Sequence, residues 1–291
     1  MVSSLPSSSA PRAELLWQAA LERSASALGS GALVPLSTEL VPAAAHGSFV
    51  VRRLLSQTPK HLRTAGPKPN PFLPWDPALE VERLGTTHLA LLNKYPVQEG
   101  HILLISQEWQ PQAGWLSSSD WRAVAQVGAD TGGLWFFNSC AAAGASQPHR
   151  HLQLLPRRSG DLTCPLAPSI QAQLRGEQPP WPWCYSVSPR LQATAGLDAA
   201  AAELESLYHH HSAVLDLGTP QRDPVPRQPY NLLFDDQWFM TVQRTREHWA
   251  GFSVNALGFA GSLLLTDRSD QHWLERHGPL ALLEAVAAQV P

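Results

Sequence analysis

Charge, cysteine and long apolar runs are all scarce in this sequence. Charged residues make up 15% of the 291 positions and leave a formal net charge of -3. No broad basic surface is therefore available to follow a nucleic-acid backbone, and any phosphate recognition has to be local. The three cysteines, Cys140, Cys164 and Cys184, are odd in number and lack CxxC spacing, which argues against a disulfide framework and against a cysteine zinc site. No stretch approaches the roughly 18 apolar residues of a membrane span, and the opening MVSSLPSSSAPRAELL has no basic start leading into an apolar run. The expectation is a protein of the reducing cytoplasm, with neither nucleic acid nor membrane as partner. A chain of this length buries an ample core without a staple. Its eleven tryptophans are many; most read as packing, some as stacking or ligand-binding surface.

The periodicity predicts a leading helix over Ala13 to Leu28. The segment GPKPNPFLPWDP at 66 to 77 holds five prolines, whose missing donors rule out helix and central strand. Strands are predicted at Leu79 to Leu84, His88 to Leu92, His101 to Ile105, Leu134 to Phe137 and His149 to Leu155. A helix is predicted after the capping residues Ser117 to Asp120. Residues 159 to 194 read as irregular, Leu197 to Leu217 as a helix, and Tyr230 to Phe234 with Trp238 to Val242 as a hairpin. A closing helix is predicted over Gly278 to Val290. Strands segregate from helices without a βαβ rhythm, so the fold class is α+β. His209, His210 and His211 are adjacent on the predicted helix; they diverge by about 100° per residue and cannot ligate one ion together. No metal site is expected, and the run reads as a solvated or partly packed helix end.

The segment with most chemistry is QPHRHLQLLP, residues 147 to 156. On a strand His149, His151 and Gln153 project to one side while Leu152 and Leu154 project to the other. The apolar side can lock the strand into a core, giving the polar row the rigidity that a catalytic site requires. HxH alone would read as satisfied polar residues or a surface metal site. Its context changes that reading, because the row follows the Gly/Ala/Ser-rich loop CAAAGASQP, where a ligand can approach the backbone.

The pattern GASQPHRHLQ closely resembles the active-site signature of the diadenosine tetraphosphate phosphorylases, the ATP adenylyltransferases of the histidine-triad (HIT-like) superfamily. NPFLPWDPALEV at 70 to 81, LLNKYPV at 91 to 97 and FSVNALGFAGSLLL at 252 to 265 resemble further segments of that family, in the same order. The resemblance spans most of residues 47 to 266. It implies a HIT-like antiparallel sheet core with flanking helices, the alternative of two fused pseudo-repeat halves being open. It also implies a catalytic region over 1–165 containing HxHxQ, and a C-terminal ATP-adenylyltransferase-type region over 166–291 that completes the nucleotide site.

The resemblance further implies phosphorolysis of diadenosine tetraphosphate to ATP and ADP, with ADP-sulfate as an additional candidate substrate. His151 would be the nucleophile, His149 would orient the array, and Gln153 would hold phosphate oxygens where hydrolytic relatives carry a third histidine. A carboxamide donates and accepts hydrogen bonds but exchanges no proton. Substrate contacts are implied for Lys60, Asn93, Lys94, Asn138, Gly144, Ala145, Ser146, Gln147, Asn255, Ala256 and Leu257, with Lys68 as the alternative to Lys60. Ser262 and Thr266 depart from the family pattern, which expects methionine and lysine there. The expected ligands are dinucleoside polyphosphates, ATP, ADP and inorganic phosphate. A magnesium ion is expected only as companion of the polyphosphate, held mainly by substrate oxygens, and the expected state is a monomer. Two other readings compete. A hexose-1-phosphate uridylyltransferase typically has HPH where this chain has HRH, and often zinc-binding cysteines absent here. A non-catalytic nucleotide sensor would keep the pocket without turnover.

Overall fold

The computed structural model describes residues 12–42, 47–56, 70–157 and 163–290. In chain order its elements are α1 (Leu15–Ser30), β1 (Thr38–Leu40), β2 (Val50–Leu54), β3 (Glu80–Leu84), β4 (His88–Leu92), β5 (Ile102–Ser106), α2 (Ser118–Asp130), β6 (Gly133–Asn138) and β7 (His151–Pro156). They continue with α3 (Ala167–Leu174), β8 (Tyr185–Pro189), α4 (Leu197–Val214), β9 (Tyr230–Phe234), β10 (Trp238–Gln243), β11 (His248–Trp249), β12 (Phe252–Ser253), α5 (Ala256–Phe259), β13 (Ser262–Leu265) and α6 (Gln271–Val286).

Eight strands form one sheet in the order β3-β4-β5-β7-β6-β9-β10-β8, antiparallel at every neighbour. The α+β class holds, and β7 lies centrally between β5 and β6. Both faces are covered. Leu152 and Leu154 of β7, Trp135 and Phe137 of β6 and the buried residues of α1, α2 and α4 share one core. Leu155, Leu134 and Phe136 share the other with α3, α5 and α6. Burial on two sides explains why β5, β6, β9 and β10 read as nearly continuous apolar runs and not as alternating ones.

Helix α1 buries Trp17, Ala20, Ser24 and Ala27, one stripe at helical spacing, and stops where Gly31 takes the left-handed conformation. Helix α2 begins at a capping box in which the Ser117 N–H donates to Asp120 Oδ2 at 2.7 Å. Helix α6 starts earlier than its periodicity predicts, because the Asp270 side chain accepts the Trp273 N–H. It kinks at Gly278, φ 81°, where Pro279 follows.

A second, small sheet joins β1, β2 and β13, with β13 parallel to β2, and thereby ties the region after residue 250 to the N-terminal part of the chain. Neither this sheet, nor β8, nor α3 was evident from periodicity. Of the three adjacent histidines, His211 is fully buried, bonding Ser188 Oγ and Thr241 Oγ1. It belongs to the core between α4 and the sheet, while His210 is exposed, so of the two expectations, a solvated or a partly packed helix end, the run is the partly packed one.

Candidate active site

Two features hold the histidine row. Within the ladder, Ile105 pairs with His151 and Leu103 with Gln153, while Leu152 and Leu154 anchor the strand from behind. His149 lies outside the regular strand, in a single antiparallel bridge with Pro111, because the Arg150 N–H donates to Gln110 O at 2.8 Å and not to a neighbouring sheet strand. The buried Phe72 ring lies 5.7 Å from that of His149 and 5.5 Å from that of His151, so one aromatic side chain packs against both imidazoles.

The hydrogen-bond partners assign the tautomers. His149 Nε2–H donates to Ser106 O at 2.8 Å, with Ser106 Oγ at 3.1 Å, and its Nδ1 accepts from Asn70 Nδ2 at 3.1 Å. His151 Nδ1–H donates to His149 O at 2.8 Å, which leaves Nε2 carrying a lone pair. Burial disfavours the imidazolium and holds the His151 pKa at about 4, against 6.5 for an ordinary histidine. His149 is also pushed down by burial.

Gln153 is oriented by a relay. Asn93 Nδ2 and the Val97 N–H both approach His101 Nδ1 at 3.3 Å, so His101 carries its proton on Nε2 and donates it to Gln153 Oε1 at 3.0 Å. Burial lowers the His101 pKa to about 3, so it stays neutral. With Oε1 engaged, the Gln153 amide group is left as a donor. Asn93 further accepts the Tyr95 N–H at 3.0 Å.

Gln112 fills the place where β6 and β7 part. Its Oε1 accepts the His151 N–H at 2.8 Å, and its Nε2 donates to Asn138 O at 2.6 Å and to His151 O at 3.3 Å. The side chain thus acts as a peptide unit in the ladder and fixes the backbone of residue 151. Behind the row, Arg150 donates to Asp120 Oδ2 at 3.1 Å and to Pro111 O at 3.3 Å, and a Cβ on Gly114 would meet its guanidinium at 2.6 Å. Burial opposes the Asp120 carboxylate, but His88, Arg150 and Ser117 outweigh it and lower its pKa.

The loop before the row is bracketed by the C-terminal region. Asn138 Oδ1 accepts from Asn231 Nδ2 at 2.8 Å and from the Ala256 N–H at 2.9 Å. The fully buried Arg244 donates to Asn231 Oδ1, to Val254 O at 2.8 Å and to Ala143 O at 3.4 Å. Gly144 has φ +87°, and a Cβ there would lie 2.7 Å from that of Asn255. The Gly144 and Ala145 N–H groups donate within their own turn, to Ala141 O and Cys140 O. Ser146 and Gln147 follow, half-buried, and Gln147 Oε1 is buried without a hydrogen-bond partner among the described residues. Asn255 caps α5 by accepting the Leu257 N–H at 2.9 Å.

The structure therefore joins Asn93 to Gln153 through His101, and Asn138, Gly144, Asn255 and Ala256 to one another. Lys94 is exposed on its turn; Lys60 and Lys68 fall outside the described residues. Asn70, His101, Ser106, Gln112, Asn231 and Arg244 escaped the sequence reading, although the GH after a turn at 100–101 is a weak signal for His101.

Beyond the Gln153 end of the row a cleft of about 410 Å³ opens, lined among others by Leu155, Pro156, Leu257, Trp17, Gln98 and Arg52. The groups hydrogen-bonded around the row are imidazoles, carboxamides and a hydroxyl. Among the described residues no group of three or more His, Cys, Asp or Glu side chains could hold a metal ion, and no helix is long and apolar enough to cross a membrane.

A buried, neutral imidazole with one ring nitrogen tied to a carbonyl and the other bearing a lone pair can act as a nucleophile. Residues 6–172 match the Ap4A phosphorylase N-terminal domain, and residues 179–289 match the ATP adenylyltransferase C-terminal domain; the chain belongs to the Ap4A phosphorylase family. It is 25% identical over 202 residues to diadenosine 5',5'''-P1,P4-tetraphosphate phosphorylase 2 of Saccharomyces cerevisiae, a match covering 61% of this chain and 62% of that protein. It is also 25% identical over 200 residues to Protein APA1 of the same yeast, covering 60% of each. The match thus spans about three fifths of the curated relatives' length. The fold is that of yeast Ap4A phosphorylase Apa2. The structure of Apa2 in complex with Ap4A superposes with a TM-score of 0.69 at 19% identity, covering 94% of this chain and 97% of that one. The complex with AMP gives 0.65 at 21% identity, covering 90% of each.

Proposed function

We propose that this protein phosphorolyses diadenosine tetraphosphate to ATP and ADP through a nucleotide carried on His151. The observation that carries the reading is the His151 tautomer: Nδ1–H donates to His149 O and burial keeps the ring neutral down to a pH of about 4. Nε2 therefore offers a lone pair at neutral pH. The relatives named for Ap4A phosphorolysis, and the fold shared with Apa2, support the choice of substrate.

In the first step His151 Nε2 attacks the α-phosphorus. The bond from that phosphorus to the bridging oxygen breaks, its electron pair leaves with ATP, and an adenylyl-imidazolium remains. The positive charge on the ring is met by the His149 carbonyl and by the adjacent phosphoryl anion. In the second step an oxygen of inorganic phosphate attacks the same phosphorus, the P–N bond breaks, and ADP leaves with His151 restored. The Gln153 amide, oriented by His101, donates to the phosphoryl oxygens in both steps. It offers no basic nitrogen to take a proton from water, which favours phosphate as acceptor. The transferred nucleoside occupies the cleft beyond Gln153, whose volume of about 410 Å³ lies in the ordinary range for such ligands. ADP-sulfate presents the same α-phosphorus and is a second candidate substrate. A magnesium ion would ride on the polyphosphate oxygens, since the row supplies no carboxylate.

Product analysis tests this reading. With phosphate present, equal amounts of ATP and ADP are expected; AMP with oxygen from water, or no turnover at all, would contradict it.

A further inference from the structure

The adenylyl-transfer reading leaves one part of a dinucleotide without a place. A dinucleoside polyphosphate has a base at each end, and the proposed reaction assigns the cleft beyond Gln153 to the transferred one. The row itself gives the direction for the rest: the cleft lies at the Gln153 end, and His149 lies toward the other end. The step from 151 to 149 therefore leads a ligand's polyphosphate away from the cleft. Beside His149 stands Trp109.

Of the eleven tryptophans, Trp109 and Trp249 are the exposed ones among the described residues. Trp249 already has Trp273 against it and Arg246 over its ring. Trp109 is half exposed, 50%, and its one ring contact among the described residues is an edge approach to His149, centroids 5.4 Å apart and planes at 76°. Both sides of its short segment are pinned. Gln107 donates from its side chain to His88 O at 2.7 Å and from its N–H to Thr87 O at 2.8 Å, and Gln110 O accepts the Arg150 N–H at 2.8 Å. An indole held in place beside a catalytic-row imidazole, with a face open to solvent, is a preorganised stacking platform. Such platforms accept any nucleobase through its π-face.

We infer that Trp109 stacks the second, leaving nucleobase of the dinucleoside polyphosphate, and so makes this site prefer a dinucleotide to a nucleoside polyphosphate of equal chain length. The inference rests on the proposed orientation of the transferred nucleotide along the row.

The test compares two non-transferable ligands, diadenosine tetraphosphate with methylene in place of the α,β bridging oxygen at both ends and α,β-methylene adenosine tetraphosphate, by calorimetry on the wild-type chain, Trp109→Ala and Trp109→Phe. The wild type should bind the dinucleotide more tightly. Trp109→Ala should lose ~10-fold or more of that affinity, the order expected of one base-aromatic stack, while its affinity for adenosine tetraphosphate stays unchanged. Trp109→Phe should recover most of the loss. Equal weakening of both ligands would overturn the inference, because the indole would then act through His149 and not on a base; no weakening of either would overturn it as well. Failure of the wild type to bind either analogue would overturn it together with the proposed site. Tight binding with a Trp109-dependent dinucleotide preference, but no turnover of the natural substrate, would sink the proposed reaction and leave this inference standing.

Discussion

His151 and His211 are two buried imidazoles in one molecule, both kept neutral by desolvation, and they do different things. Burial lowers the pKa of His211 to about 3 and that of His151 to about 4. His211 spends both ring nitrogens on hydroxyls, Ser188 Oγ at 2.9 Å and Thr241 Oγ1 at 3.0 Å. Among the described residues His151 spends only Nδ1, at 2.8 Å on a carbonyl. A depressed pKa alone therefore does not mark a nucleophile; the role proposed for His151 rests also on a ring nitrogen without a hydrogen-bond partner among the described residues, in a row of oriented donors. His101 falls on the His211 side of this divide, since both of its nitrogens are used.

The sharpest way to break the comparison is to remove each ring in turn. His151→Ala should lose at least ~10⁴-fold in kcat/KM, as expected for a residue that carries the bond-making step, with a melting temperature close to that of the wild type. Gln112→Ala comes next: without its three hydrogen bonds the backbone of residue 151 is no longer fixed, and a loss of ~10²-fold in kcat with little change in KM is expected in steady-state assays. A fall in KM-dependent binding alone would mean that Gln112 serves the substrate and not the nucleophile.

His211→Ala should do the opposite of His151→Ala. It leaves a cavity, the buried Thr241 hydroxyl and the half-buried Ser188 hydroxyl without this partner, so a loss of ~2–3 kcal/mol in denaturant unfolding is expected, with kcat kept. Acid sharpens the same point. The unfolded chain protonates its histidines near the ordinary value of 6.5, while the folded chain keeps His101, His151 and His211 neutral to about 3, 4 and 3. The stability these groups contribute is whole above about pH 6.5 and is lost as pH falls toward 4 and below. Activity should follow a lower limb: kcat/KM should decline near pH 4, and a decline centred at 6.5 would show that His151 is not desolvated. The smallest effect expected is in Gln153→His, which should raise the share of hydrolysis over phosphorolysis without abolishing transfer; unchanged partitioning would remove the carboxamide from the choice of acceptor.

The sequence showed what local periodicity can carry. The central strand, its alternation and the helix cap at Ser117 were legible because each is written within a few adjacent residues. The loop at 139–147 was legible only as composition. The structure shows why it needs residues 231 to 257 as well, since Asn231, Arg244 and the Ala256 N–H hold it from outside. Gln112 bonds His151 across 39 positions, Ser106 bonds His149 across 43, and Asn70 bonds His149 across 79. No spacing rule reaches that far. The predicted strand began at His149, whereas the regular ladder begins at His151, because the Arg150 N–H turns to Gln110 instead. Strand β8 and helix α3 were hidden by prolines that sit at their ends, Pro189 and Pro168, where proline is tolerated. The small sheet was hidden because β2 and β13 meet from distant parts of the chain.

The account stands most directly on the atom that takes the nucleotide. Diadenosine tetraphosphate labelled at its α-phosphorus, mixed with the protein in the absence of phosphate and quenched in alkali, should leave about one label per chain on Nε2 of His151. Added phosphate should then discharge that label as ADP. Label on any other residue, or steady turnover with no label captured, would contradict it.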